Sequence, residues 1–135
     1  MDEIIEELRE LAEEVPVPLE LPEHDDTVEA EEAILLPLPW EFRHYLLTAS
    51  DVVYGYLEPV TVSDPSSHTY LPEVAAMAWS VGLPRDVFPI CEADGGYYCM
   101  DPEGIVKFWR GDFDNEQWDS IWLWVRDVWI AGGLT

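Results

Sequence analysis

Basic side chains are what this sequence most lacks: six Lys and Arg, with Lys107 the sole lysine, face 29 Asp and Glu in 135 residues. Gripping a phosphate backbone takes clustered cations, so nucleic acid does not fit as a ligand. Long apolar runs are missing too. Ala33 to Trp40 is among the longest and holds two prolines, far short of the roughly 20 residues a membrane span needs. The start, Met1-Asp-Glu-Ile-Ile-Glu-Glu, is acidic where a signal peptide would be positive and then apolar, so the expected compartment is the cytoplasm. Cysteine occurs only at Cys91 and Cys99. If Asp94-Gly95-Gly96 forms a three-residue hairpin loop, the two face each other across strands, and a reduced, half-buried pair is the expectation in that compartment.

What is present is ample core material. With 48% hydrophobic residues and 13% aromatics, including seven Trp, the chain has the composition and length of one ordinary folded domain. Its formal net charge of -23 sets a negative potential over much of the surface. A basic protein partner suits that field; acidity for solubility alone is the competing reading.

Ile4, Leu8, Leu11 and Val15 recur at helical spacing between acids, which predicts an amphipathic helix over 2–14 ended by Pro16. Proline-rich Val15 to Asp26 reads as an extended linker. Thr27 is the expected N-cap of a short helix through Ala33, and Pro39 opens the next, with Phe42, Tyr45 and Leu46 on one face. The β-branched and aromatic stretches Val52 to Leu57 and Pro59 to Val62 predict one strand, or two broken near Glu58-Pro59. Leu71 to Val81, followed by Gly82, is the next predicted helix. Phe88 to Trp109 then reads as a three-stranded meander whose turns are Asp94-Gly95-Gly96 and Asp101-Pro102-Glu103-Gly104. After a turn at 111–115, a helix over Glu116 to Ile130 should lay Trp118, Trp122, Val125 and Trp129 against the sheet.

No pattern is specific for catalysis. His24-Asp25-Asp26 sets three metal-ligand types side by side, but neighbours in a linker diverge and no fourth ligand is spaced to meet them. Ser66-Ser67-His68 suggests a nucleophile and base, yet adjacent residues rarely reach triad geometry and no glycine elbow surrounds them. Asp94-Gly95-Gly96 and Gly104 lead into no helix, and no Gly-Lys-Ser/Thr follows, so neither is a phosphate loop. Carboxylate pairs suited to glycoside hydrolysis are uninformative where acids are this abundant.

One order of motifs does stand out. A helix carrying Glu31-x-x-Ile34-Leu35-x-x-Leu38-Pro39-x-x-Phe42 precedes helix, strands and helix. Leu83-Pro84, Asp86-Val-Phe-Pro-Ile90, Asp94-Gly95-Gly96-Tyr97-Tyr98, Asp101-x-x-Gly104-x-Val106-x-x-Trp109 and a Trp-rich terminal helix follow. From about Glu31 to Ile130 this resembles the SUKH superfamily, which takes in fungal cell-wall-synthesis regulators and many bacterial immunity proteins. The resemblance implies an α+β fold, with a small antiparallel meander sheet in the C-terminal half packed by helices. An acidic helix and linker over 1–30 would precede a single domain over 31–135. It also implies no enzyme activity, and binding of a protein partner: a toxin domain to be neutralised, or a cellular protein in a regulatory scaffold. No cofactor and no metal are expected, since no residue pattern calls for either. Candidate contact residues in such an acidic field are Tyr54, Tyr56, Tyr97 and Tyr98 as aromatic anchors, with Glu58 and Asp94 beside them. Each tyrosine has a core alternative, and alternation along a strand lets only one of Tyr97 and Tyr98 join a given surface.

Overall fold

A computed structural model describes residues 2–133. Four helices come first: α1 (Asp2–Glu10), α2 (His24–Ile34), α3 (Trp40–Ala49) and α4 (Leu71–Ser80). They lead into an antiparallel sheet of β1 (Phe88–Ala93), β2 (Gly96–Met100), β3 (Val106–Trp109) and β4 (Phe113–Trp118), ordered β1-β2-β3-β4. The chain closes with α5 (Ile121–Trp124), a π-helical segment (Val125–Ile130) and the short α6 (Ala131–Gly133).

The α+β architecture and the C-terminal meander follow the sequence expectation, but the meander has four strands. Residues 113–118 form β4 and do not open the last helix, because Ser120 caps that helix by accepting the Leu123 N–H at 3.2 Å. Trp118 therefore sits opposite Val106 as a strand residue. The predicted strands over 52–62 are also absent as regular elements. That segment makes single bridges only, Pro59 with Cys91 and Thr61 with Tyr70, since Pro59 has no N–H to carry a ladder onward. The segment runs along the outer edge of β1, where the Val60 N–H donates to Ile90 O at 2.8 Å.

Alternation splits the sheet between two cores. Met100, Val106 and the half-buried Tyr98 and Trp118 face the main cluster, with Phe42, Tyr45 and Leu46 from α3 and Trp122, Trp124 and Trp129 from the terminal helix. Tyr97, Cys99 and Trp109 face the other way, into a smaller cluster with Ala78, Leu83 and Val87. Full burial of each large apolar side chain contributes roughly 1.5–3 kcal/mol, so the three inner tryptophans anchor the main core. The aromatic stripe differs in membership from the helical-wheel expectation. Trp124 is 0% exposed and meets Tyr98 with ring centroids 5.4 Å apart, while Trp122 packs edge-on to Tyr45 at 6.0 Å. The π-helical segment winds more residues per turn than an α-helix and shifts the stripe's phase.

Helix α2 begins earlier than expected. Asp26 accepts the Glu23 N–H at 2.9 Å, and Thr27, 0% exposed, is an interior residue and not the cap. The acidic leader is joined to the body: Leu8 is 0% exposed in the main cluster, and Arg9 pairs with Asp51 at 2.8 Å. The Glu13 N–H donates to Val53 O, and the Glu13 carboxylate accepts the Gly55 N–H, each at 2.8 Å.

The cysteines do not face each other. Ala93 pairs with Gly96, which leaves a two-residue loop, Asp94-Gly95, with φ of 50° and 78°. Positive φ at both positions is the hairpin turn that matches strand twist. A bulge between Pro89 and Cys91 then sets Cys91 opposite Tyr98, so Cys91 lies in the main core and Cys99 in the smaller one. Both are free and fully buried, not half-buried.

Candidate functional site

The β1–β2 turn, the 56–60 segment and the end of the 63–69 loop enclose a cleft of about 360 Å³. Tyr56, Glu58, His68, Glu92 and Asp94 line it above an apolar floor that includes Val60, Val74 and Ala93. Each wall has a local cause. Asp94 is set by the hairpin turn, and Glu92 is the outward residue between buried Cys91 and Ala93. Glu58 is positioned by the neighbouring Pro59–Cys91 bridge.

The 63–69 loop is fixed by its own hydroxyls. Asp64 Oδ1 accepts both the Ser66 N–H at 2.9 Å and the Ser66 hydroxyl at 2.8 Å, and those donors hold the Asp64 carboxyl below its ordinary value. Thr69 Oγ1 lies 2.8 Å from Thr61 Oγ1 and 2.9 Å from Ser67 Oγ. His68 is left to project over the cleft, with Nε2 2.6 Å from Glu58 Oε2. Tyr56 is 69% exposed at the rim.

Three of the six sequence candidates, Tyr56, Glu58 and Asp94, thus meet in one place. The other three do not line the cleft. Tyr54 is buried, and its carbonyl accepts the Trp129 indole N–H at 2.9 Å. Tyr97 belongs to the smaller core. Tyr98 is half-buried among Phe108, Trp118 and Trp124, and desolvation pushes its phenol up to about 12. Glu92 is a cleft residue that sequence reasoning did not single out, and His68 was considered only as a base in the Ser66-Ser67-His68 run. Strand alternation next to the Asp94-Gly95 turn was the available signal for Glu92; for His68 there was none beyond its place in the Ser-Ser-His run.

The chemistry open to this cleft is limited. Ser66 and Ser67 spend their hydroxyls on Asp64 and Thr69, and His68 is engaged with Glu58. Burial raises the Cys91 and Cys99 thiols to about 12, so neither is poised as a thiolate. Among the described residues no group of three or more His, Cys, Asp and Glu could hold a metal ion, and no helix is long and apolar enough to cross a membrane. The arrangement offers three carboxylates, one phenol and one imidazole to whatever enters.

Fold and surface together define an acidic α+β domain built on a four-stranded meander. The chain belongs to the SMI1-KNR4 cell-wall family (SUKH_5), whose family model matches residues 1–130. That span takes in the acidic leader as well as the part from Glu31 onward that the motifs had marked. A crystal structure of a protein from Pseudomonas syringae pv. tomato is similar, with 54% sequence identity over 97% of this chain and 99% of that chain and a TM-score of 0.94. No curated protein matches.

Proposed function

We propose that this protein works in the cytoplasm by binding a basic protein, a toxin domain that it neutralises, and that it catalyses no reaction. The observation that carries the reading is the cleft in which Tyr56, Glu58, Glu92 and Asp94 converge on a chain of net charge -23. An exposed aromatic within an acidic rim suits an arginine or lysine side chain, whose stem packs on the ring while its head meets carboxylates. The wider field speeds encounter with a positive partner and disfavours acidic ones. Family membership supports a protein partner, and the Ser66 and Ser67 hydroxyls beside the cleft are held by Asp64 and Thr69.

Coexpression with the toxin-like product of a neighbouring gene tests the proposal. Growth rescue and copurification are expected, and the E58K/D94K variant should fold normally while binding about tenfold or more weakly, chiefly through slower association. Failure of the wild-type chain to rescue growth or copurify with any such product would remove the antidote role.

A further inference from the structure

The two edges of the sheet are treated differently. The outer edge of β1 is covered by the 59–62 segment, through the Pro59–Cys91 bridge and the Val60 N–H to Ile90 O bond. β4 ends the sheet on the other side, and among the described residues no strand or loop pairs with its outer edge. Its first five residues, Phe113 to Gln117, are all exposed. An unpaired edge presents N–H and C=O groups that an extended chain can continue; on β4 the Asn115 N–H is held by Asp114 Oδ1 at 2.7 Å, and an added strand takes its place there.

The surroundings select what can lie there. Residues 112–119 read Asp-Phe-Asp-Asn-Glu-Gln-Trp-Asp, with four acids and no base. Inboard of the edge, over the sheet face that carries Cys99, is a second cleft of about 420 Å³. Phe113 is its β4 residue, Val87 and Ile105 are apolar wall, Asp86, Asp101 and Glu103 are its acids, and Lys107, with Nζ 5.7 Å from the Phe113 ring centroid, is its one base. Phe113 and Gln117 lie opposite Trp109 and Lys107, so this cleft opens on the face that carries Cys99. Alternate side chains of an added strand would stand on that face, and long ones reach the cleft across Phe113.

We propose that β4 is a docking edge for an extended, basic segment of a partner protein, which adds as a fifth strand and sends alternate side chains into the Phe113 cleft. A second copy of this chain is the wrong occupant. Antiparallel pairing of β4 with itself brings Asp114 and Glu116 against their own kind, and like charges directly opposite destabilise a strand pair. This site shares the basic-protein partner of the preceding reading and places a contact on the opposite edge of the sheet.

The test uses the full chain and synthetic nine-residue peptides alternating Lys or Arg with Val, at about 0.15 M salt so that diffuse attraction is screened. Binding is followed by titration and by amide exchange of the protein. Slowed exchange confined to the alternate, outward-facing amides of β4 is expected, because the others are already bonded to β3. N-methylation of one set of alternate peptide residues should weaken binding about tenfold or more, and methylation of the other set should leave it intact, because an added strand uses only one row of its amides. D114K/E116K should also abolish binding. Equal binding by both methylated peptides, or protection scattered over the acidic surface, overturns the proposal and leaves the β4 acids as charges that merely keep the edge from aggregating. A concentration-dependent dimer protected at β4 overturns it too. In the growth assay, rescue by D114K/E116K equal to wild type counts against the edge while the antidote reading stands; absence of rescue by wild type removes that reading while the peptide result still decides the edge.

Discussion

Gly96 shows how closely single positions are set. A Cβ at this residue would strike the Trp109 carbonyl oxygen and crowd the Phe108 ring, so backbone would have to move. Gly96→Ala should lower stability by about 1–3 kcal/mol, read as a shifted denaturant midpoint with an unchanged slope. The inner tryptophans allow a sharper comparison. Trp124 and Trp129 are 0% and 1% exposed, but only Trp129 has an indole partner, the Tyr54 carbonyl, whereas the Trp124 and Trp122 N–H groups are unpaired. Replacing Trp129 with Phe orphans a carbonyl; replacing Trp124 with Phe removes a donor that folding had already stranded. Both leave similar voids. Trp129→Phe should therefore be the more damaging by about 1 kcal/mol, and equal midpoints would deny the Tyr54 bond any net worth. The cysteines make a third test: with both thiols raised to about 12 by burial, native protein should react with iodoacetamide only as fast as it opens, and denaturant should release both at once.

Helices α2 and α3 are held together by one polar clamp. Arg43 donates to Thr27 Oγ1 at 2.7 Å and to Glu31 Oε2 at 2.8 Å, and the same Glu31 oxygen accepts the Leu38 N–H at 2.7 Å. Partial desolvation works to raise the Glu31 carboxyl, but the Leu38 N–H and the Arg43 guanidinium outweigh it and hold it below its ordinary value of 4.5. A carboxyl lowered on folding stabilises the native state above its unfolded pKa, and that contribution is lost as pH falls through the folded one. Glu31→Gln should thus cost about 1–3 kcal/mol at pH 7 and progressively less below about pH 4.5, where the wild-type side chain also becomes neutral. A gap that persists unchanged into acid would show that the charge is irrelevant to the clamp. Such long-range contacts are invisible in a sequence, whereas local signals carried well: the helical repeat of Phe42, Tyr45 and Leu46 marked α3, and Asp94-Gly95 marked the hairpin. β4 was missed for a definite reason. Its first five residues are all exposed, so Phe113 to Gln117 show no alternation, and the chance spacing of Trp118 with Trp122, Val125 and Trp129 drew it into the helix. The cleft was half legible, since Tyr56, Glu58 and Asp94 were named from aromatic and acidic character, but their meeting depends on the Pro59–Cys91 bridge.

The charge imbalance belongs to the molecule and not to any element. With 29 acids against six basic residues, most charge pairs in the folded chain repel, and a compact state concentrates that repulsion. Against it stand a few exposed or half-buried pairs, Arg9–Asp51, Arg43–Glu31 and Arg126–Asp127, of which surface examples are worth about 0–1 kcal/mol each. Salt weakens both kinds, so the sign of the response tells which dominates. Raising NaCl from about 0.01 M to 0.1 M shortens the screening length from about 30 Å to 10 Å, which removes repulsion between distant acids while touching pairs keep most of their attraction. The melting temperature should rise, by about 4 °C for each kcal/mol of repulsion relieved in a chain of this size. Chloride is the right anion, because sulfate would also strengthen apolar burial and confound the result. A fall with salt would mean the ion pairs outweigh the field, and the negative surface would carry no folding cost. A rise means that folding holds this surface together against its own charge, and a bound basic partner would relieve the same strain that salt does, so complex formation should raise stability most at low ionic strength.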